Sequence, residues 1–263
     1  MEVPGFRITG VISSGANGIV FAAEDSLDRE VVIKVYPPRL DRGGDDSPYE
    51  KAWNEARKIA SLKHEGLAAV YTFGQLSGAN SWLSEEWPYC VMEYRSGIPL
   101  REALPLIADD LPFRRSALRQ IFDVLEYAEA RGVLHGDLHQ GNVLVETWHR
   151  VGNVSVIDFG TSVFAGKPSS EERHARLLQQ LTFKLMPELK ESFVSTPRLR
   201  RRVGRQMLPT LAAALELHEF IYLRADSAQL RSPRELGGKL ADAIDFNLDV
   251  LWARSRHKLA QTI

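Results

Sequence analysis

Lys34 stands inside the apolar run Val31-Val32-Ile33-Lys34-Val35-Tyr36, where its charge needs a partner. In a strand its side chain points away from the face that Ile33 and Val35 occupy. Asp137 and Asn142 lie five residues apart in Leu134-His135-Gly136-Asp137-Leu138-His139-Gln140-Gly141-Asn142-Val143-Leu144-Val145, and Asp158 ends the apolar run of Val156-Ile157-Asp158-Phe159-Gly160. A cation, two carboxylates and an amide oxygen are what phosphoryl transfer asks of a protein. That reaction needs a cradle for a triphosphate, a positive charge on it, oxygen ligands for Mg²⁺, and a carboxylate near the attacking hydroxyl. The spacing lets Asp137 face a hydroxyl while Asn142 reaches a metal, and a hard cation would take oxygens from Asn142, Asp158 and the nucleotide.

The cradle candidate is Ile12-Ser13-Ser14-Gly15-Ala16-Asn17-Gly18-Ile19-Val20, where Gly15 and Gly18 let backbone N–H groups approach phosphate oxygens. Taken alone it also reads as a glycine-bearing hairpin turn, and Lys34 alone as a solvated edge-strand cation. Glu55, on the next helical segment, offers Lys34 an ion-pair partner, and His135 reads as packing behind the loop. The four pieces gain weight together, because they occur in one order and each falls on the expected kind of element.

The elements that must position them divide into two textures. From Phe6 to about Tyr94, short β-branched runs predict strands at Phe6–Thr9, Gly18–Ala22, Val31–Tyr36, Ala68–Phe73 and Tyr89–Tyr94. One helix, Tyr49–Lys63, interrupts them. After Ile98 the periodicity is helical, with Leu118, Ile121, Phe122, Leu125 and Ala128 on one face of Pro112–Arg131 and Gly132 as its stop. Short apolar runs follow at Asn142–Glu146 and Val154–Asp158, then helices over about 170–186, 196–223 and 232–260. The pattern predicts an α+β protein in two lobes. Residues 1–94 form a small antiparallel sheet with one helix that cradles the phosphates, and residues 95–263 form a larger, mainly helical lobe with the catalytic and metal-binding loops.

The chain has 263 residues, 44% hydrophobic and 25% charged, which is enough for two lobes with cores of their own. A formal net charge of −1 recommends neither nucleic acid nor an anionic membrane as a partner. Cys90 is the only cysteine, which excludes an intramolecular disulfide and a thiolate zinc site. No signal peptide and no run of about 20 apolar residues is visible, so a cytoplasmic location is expected, although a secreted effector would look the same.

From Phe6 to about Val163 the sequence resembles the protein-kinase superfamily, of the bacterial serine/threonine type. The resemblance implies ATP and Mg²⁺ as cofactors. It implies that Gly15 and Gly18 cover the phosphates, that Val20 touches adenine, and that Lys34, held by Glu55, binds the α- and β-phosphates. Met92 would be the gatekeeper, with Glu93 and Arg95 offering backbone groups to the adenine edge. Asp137 would be the catalytic base, Asn142 and Asp158 the metal ligands, and Phe159, His135 and Ile59 part of a spine of side chains between the lobes.

Departures from the pattern are informative. Ser13 stands where the first loop glycine usually is, and Gly136 replaces the usual arginine before the aspartate, so no activation-loop phosphate switch is expected. His139 replaces a lysine, and His-Gly-Asp-Leu-His-x-Gly-Asn is similar to the loop of aminoglycoside and choline kinases. His139 could donate to the γ-phosphate or to substrate, or brace the loop. Thr161–Pro168 is short for an activation segment, and Met186-Pro187-Glu188 reads as a helix terminus. The run Arg198–Arg205 reads as a solvated helix face, Trp82 and Trp87 as lobe packing, and His149, His174, His218 and His257 show no metal-ligand spacing. The readings that follow are a protein serine/threonine kinase, a small-molecule kinase acting on a hydroxyl-bearing metabolite, and a nucleotide-binding pseudokinase that serves as an interaction module.

Overall fold

In a computed structural model of the chain, residues 3–15, 18–36, 48–76, 87–146, 153–159, 163–164, 168–190 and 207–224 are described. The first lobe is an antiparallel five-stranded sheet. Its strands are β1 (Phe6–Gly15), β2 (Gly18–Asp25), β3 (Glu30–Val35), β4 (Val70–Leu76) and β5 (Trp87–Glu93), in the order β1-β2-β3-β5-β4. β-Branched residues alternate inward along β3, so that Val31, Ile33 and Val35 join Val3, Ala23, Leu76 and Val91 in a small core. Trp87 packs against that core, as lobe packing requires. Helix α1 (Pro48–Ala60) lies against β4 and β5.

The second lobe is built on α3 (Leu111–Ala130). Asp110 caps its N-terminus, accepting from the Phe113 N–H at 2.9 Å, and Pro112 sits in the first turn, where its missing N–H costs nothing. Phe113, Ala117, Leu118, Ile121, Phe122, Val124, Leu125 and Ala128 are buried at helical spacing, and Gly132 ends the run at φ +75°. Each large apolar side chain buried there contributes roughly 1.5–3 kcal/mol. Around it lie β6 (Ile98–Pro99), α2 (Leu100–Ala103), β7 (Val133–Leu134), β8 (Val143–Val145), β9 (Val154–Val156), β10 (Val163–Phe164), α4 (Pro168–Leu185) and α5 (Met207–Arg224). Strands β6, β8 and β9 make one small sheet, and β10 pairs antiparallel with β7. The larger core reaches across the lobes, because Ile59, Leu62 and Leu67 pack with Leu125, Phe159 and Leu178 in one cluster.

Some boundaries move. Helix α1 ends at Ala60, not Lys63, where the Leu62 N–H turns back to the Ile59 carbonyl at 2.9 Å. Strand β4 begins at Val70, two residues later than its β-branched pattern suggests. Helix α4 closes at Leu185, before Met186 and Pro187, so this stretch is a helix terminus; residues 187–190 then add one helical turn. Glu188 in that turn is buried against Arg114 of α3 in a two-pronged ion pair at 2.9 and 3.2 Å. The run Arg198–Arg205, the segment 232–260 and Trp82 lie outside the described residues. Among the described residues no helix is long and apolar enough to cross a membrane.

Candidate active site

Strand pairing brings the nucleotide-side residues together. Val20 of β2 lies directly across from Lys34 of β3, so the two side chains share one face of the sheet. Ser13 pairs with Val20 and Gly15 with Gly18, which closes the β1–β2 hairpin at the cradle candidate. The two glycines are there for different reasons. Gly18 has φ +129°, and a Cβ there would lie 2.4 Å from the Val35 carbonyl oxygen, so the fold itself demands glycine. Around Gly15 no atom of the described residues beyond its chain neighbours lies within 4 Å of a built Cβ.

Lys34 is 5% exposed, and its Nζ donates to Asp158 Oδ1 at 2.7 Å across 124 residues of sequence. Its ammonium also sits 5.1 Å from the centre of the Tyr36 ring. Burial of a lysine demands such a partner. Asp158 has φ +58°, a left-handed conformation uncommon for a residue with a Cβ, and it lies two residues past the end of β9 in the second lobe. Backbone strain of this kind is held in place by its surroundings and gathers at functional sites. Here the conformation carries the carboxylate to the lysine.

The loop between β7 and β8 is braced from within. Asn142 is buried; its Nδ2 donates to the Asp137 carbonyl at 2.9 Å, and its own carbonyl accepts from the Ile157 N–H at 2.9 Å. With the amide nitrogen thus turned toward Asp137, Oδ1 is the end available to a cation. His135 is fully buried, with its ring 4.4 Å from that of Phe159. Its Nε2 faces the Ile157 carbonyl at 3.0 Å and its Nδ1 faces the Asp137 N–H at 3.2 Å, which assigns the proton to Nε2. Burial drives its pKa down to about 4, so the imidazole is a neutral strut between the Asp137 loop and the segment after β9 that carries Asp158. His139 accepts the Gly141 N–H on Nδ1 at 2.9 Å, and its Nε2 lies 3.6 Å from Asp137 Oδ2.

On the strand joining the lobes, Met92 sits in β5 across from Val32 of β3 and Val70 of β4. The Glu93 N–H donates to the Ala69 carbonyl at 2.8 Å, while its carboxylate accepts from the Ala69 N–H at 3.1 Å and pairs with Arg95 at 3.0 Å. Arg95 also donates to the Leu67 carbonyl. Both side chains are thus engaged with the segment that leads into β4.

The structure brings Lys34 to Asp158, Asn142 to Asp137, and His139 to Asp137. Glu55 lies on α1, but its side chain is outside the described residues, as are residues 160–162 and 165–167. Among the described residues no three His, Cys, Asp or Glu side chains form a metal site of their own. Asn142 and Asp158 are hard oxygen donors, two in number, and that set fits Mg²⁺ shared with phosphate oxygens rather than a cation caged by protein alone. Three contacts had no signal in residue spacing. His174 of α4 reaches the His135 carbonyl, Lys184 reaches Gln140 Oε1 at 3.5 Å, and the Arg101 N–H donates to the Gln140 carbonyl at 3.3 Å.

Residues 6–188 match the family described as Protein kinase domain. A probable serine/threonine-protein kinase of Streptomyces coelicolor is 34% identical over 157 residues, which is 59% of this chain and 22% of that protein. Serine/threonine-protein kinase PknA of Mycobacterium tuberculosis is 32% identical over 165 residues, 59% of this chain and 35% of PknA. PknB of Mycolicibacterium smegmatis is 31% identical over 160 residues, 59% and 24% respectively. The chain therefore spans between 22% and 35% of the length of these relatives.

Proposed function

Because the chain belongs to the protein kinase domain family, we propose that it transfers the γ-phosphate of ATP to a serine or threonine hydroxyl of a protein. The observation that carries this reading is the 2.7 Å contact of Lys34 with Asp158, which joins the cation of one lobe to a metal-type carboxylate of the other. Relatives named as serine/threonine-protein kinases, aligned over 59% of the chain, support the acceptor class.

When bound, Mg²⁺-ATP would supply the phosphoryl group and the charge neutralisation that its metal provides. Asn142 Oδ1 and the Asp158 carboxylate would hold the cation, and Lys34 would hold the α- and β-phosphates. The hairpin at Gly15 and Gly18 would cover the phosphates, and Val20 would lie against the adenine near Met92. The Glu93 N–H is already engaged with Ala69, so Glu93 has its carbonyl to offer the adenine edge, and Arg95 its backbone N–H. Glu55 is assigned to steady Lys34 from α1. Asp137 would orient the acceptor hydroxyl and take its proton. His139, with Nε2 toward Asp137, is assigned to the acceptor side. Residues 1–94 and 95–263 are the two lobes in this reading.

One observation favours a second reading, phosphorylation of a small hydroxyl-bearing molecule. Only residues 165–167 separate β10 from α4, which leaves little chain for docking a peptide beside Asp137. Incubating the protein with labelled ATP and Mg²⁺, with lysate proteins in one arm and alcohol-bearing metabolites in another, decides between them. Label on serine or threonine supports the first reading and label on a metabolite the second. Nucleotide binding with no transfer in either arm would refute both and leave the pseudokinase.

A further inference from the structure

We propose that His174 is a positioning residue for the Asp137 loop, a doubly protonated ring that donates one hydrogen bond to the His135 carbonyl and the other to Glu129. The proposal rests on the reading of that loop as the catalytic one.

His174 lies on α4 and is 5% exposed. Its Nδ1 is 3.1 Å from the His135 carbonyl oxygen, and its Nε2 is 2.9 Å from Glu129 Oε1 on α3. A carbonyl and a carboxylate only accept, so a ring that satisfies both must carry a proton on each nitrogen. The charge then sits against the Glu129 carboxylate, giving a charge-assisted pair. His135, in the same loop, is arranged the opposite way: one of its nitrogens faces a donor and the other an acceptor, so it is neutral. The positive ring behind it also acts to lower the pKa of His135. Among the described residues, the His135 carbonyl of the loop and the Glu129 carboxylate of α3 are what the His174 ring contacts, and both belong to titratable residues. Strand β7, Val133–Leu134, contributes none, and Glu219 of α5 is engaged by Arg115 and Arg119.

The position of the clamp gives it a role. It fixes the backbone one residue before Gly136, which has no side chain with which to anchor the loop, and two before Asp137. From His135 the bracing continues through the ring to Ile157 and the Asp137 N–H, and from the Asp137 carbonyl to Asn142. A shift at the His135 carbonyl would therefore move the base relative to the metal ligands. Such a shift lowers turnover without touching the nucleotide.

The test uses His174→Met, Glu129→Met and the double variant in the full chain. Ring ¹⁵N spectra of the wild type are expected to show two N–H protons on His174 and one on His135. His174→Met is expected to lower kcat about 10- to 100-fold, with KM for ATP changed less than about twofold. It should also lower Tm, because Glu129 loses its partner. The double variant removes both charged partners and should recover most of the Tm loss, the His135 carbonyl alone still lacking its donor, while kcat stays low. A single N–H on His174, or a double variant whose kcat recovers together with Tm, would overturn the proposal. The proton count is read without turnover. A wild-type chain that transfers no phosphate would therefore refute the proposed function, and the spectra alone would still decide the state of His174.

Discussion

Asp137 and His135 show how one short loop separates two kinds of work. Asp137 keeps a partly exposed carboxylate, with its backbone N–H held by His135 and its carbonyl held by Asn142. Replacing it by Asn preserves shape and removes the carboxylate proposed as the base. Asp137→Asn should lower phosphotransfer about 100- to 10,000-fold while nucleotide affinity, read by calorimetry, stays near wild type. His135 matters through burial. Its pKa of about 4 lies below that of an exposed histidine, so the unfolded chain binds the proton more readily than the folded one. Its contribution to stability is complete above pH 6.5 and is lost as pH falls toward 4, up to about 3 kcal/mol. Urea denaturation between pH 7 and 4 should show that slope, and His135→Gln, which has nothing to protonate, should flatten it. At this scale the motif residues were legible in the sequence, because each stands out by type from an apolar or glycine-rich neighbourhood. Their partners were not. Asp158 meets Lys34 from 124 residues away, and in the sequence His174 is only a histidine without metal-ligand spacing.

At the scale of elements, the β1–β2 hairpin holds one glycine that the fold requires and another proposed to serve the ligand. Gly18→Ala sets a Cβ against the Val35 carbonyl in a left-handed backbone and should cost on the order of 2 kcal/mol in stability. Gly15→Ala meets no atom of the described residues beyond its chain neighbours within 4 Å, so it should leave Tm unchanged and raise KM for ATP. Thermal melts beside steady-state kinetics read both effects. Periodicity made most elements visible: the buried stripe of α3 is the one its sequence displays, and its ends follow from Asp110, Pro112 and Gly132. Where local hydrogen bonds set the boundary, as at Leu62 after α1, the apolar pattern ran past the true end.

For the whole molecule, two cores and a few long-range polar contacts fix the lobes. Arg114 and Glu188 tie α3 to the turn after α4 with both charges buried. Arg114→Met should destabilise the chain by about 3–5 kcal/mol, and Arg114→Met with Glu188→Met should recover most of it, since removing one partner strands a charge and removing both does not. Chemical denaturation reads the difference. The two-lobed class was legible from the change in texture near Ile98, whereas ion pairs between distant helices have no periodic signature.

The proposed convergence of Lys34 and Asp158 on one triphosphate is tested most directly by a double-mutant cycle on phosphotransfer. Lys34→Met and Asp158→Asn should each lower the rate about 100-fold or more, and the double variant should be little worse than either, as expected of residues that act as a unit. Losses that multiply, with the double variant slower by the product of the two, would mean that the residues act independently and would contradict a single shared site.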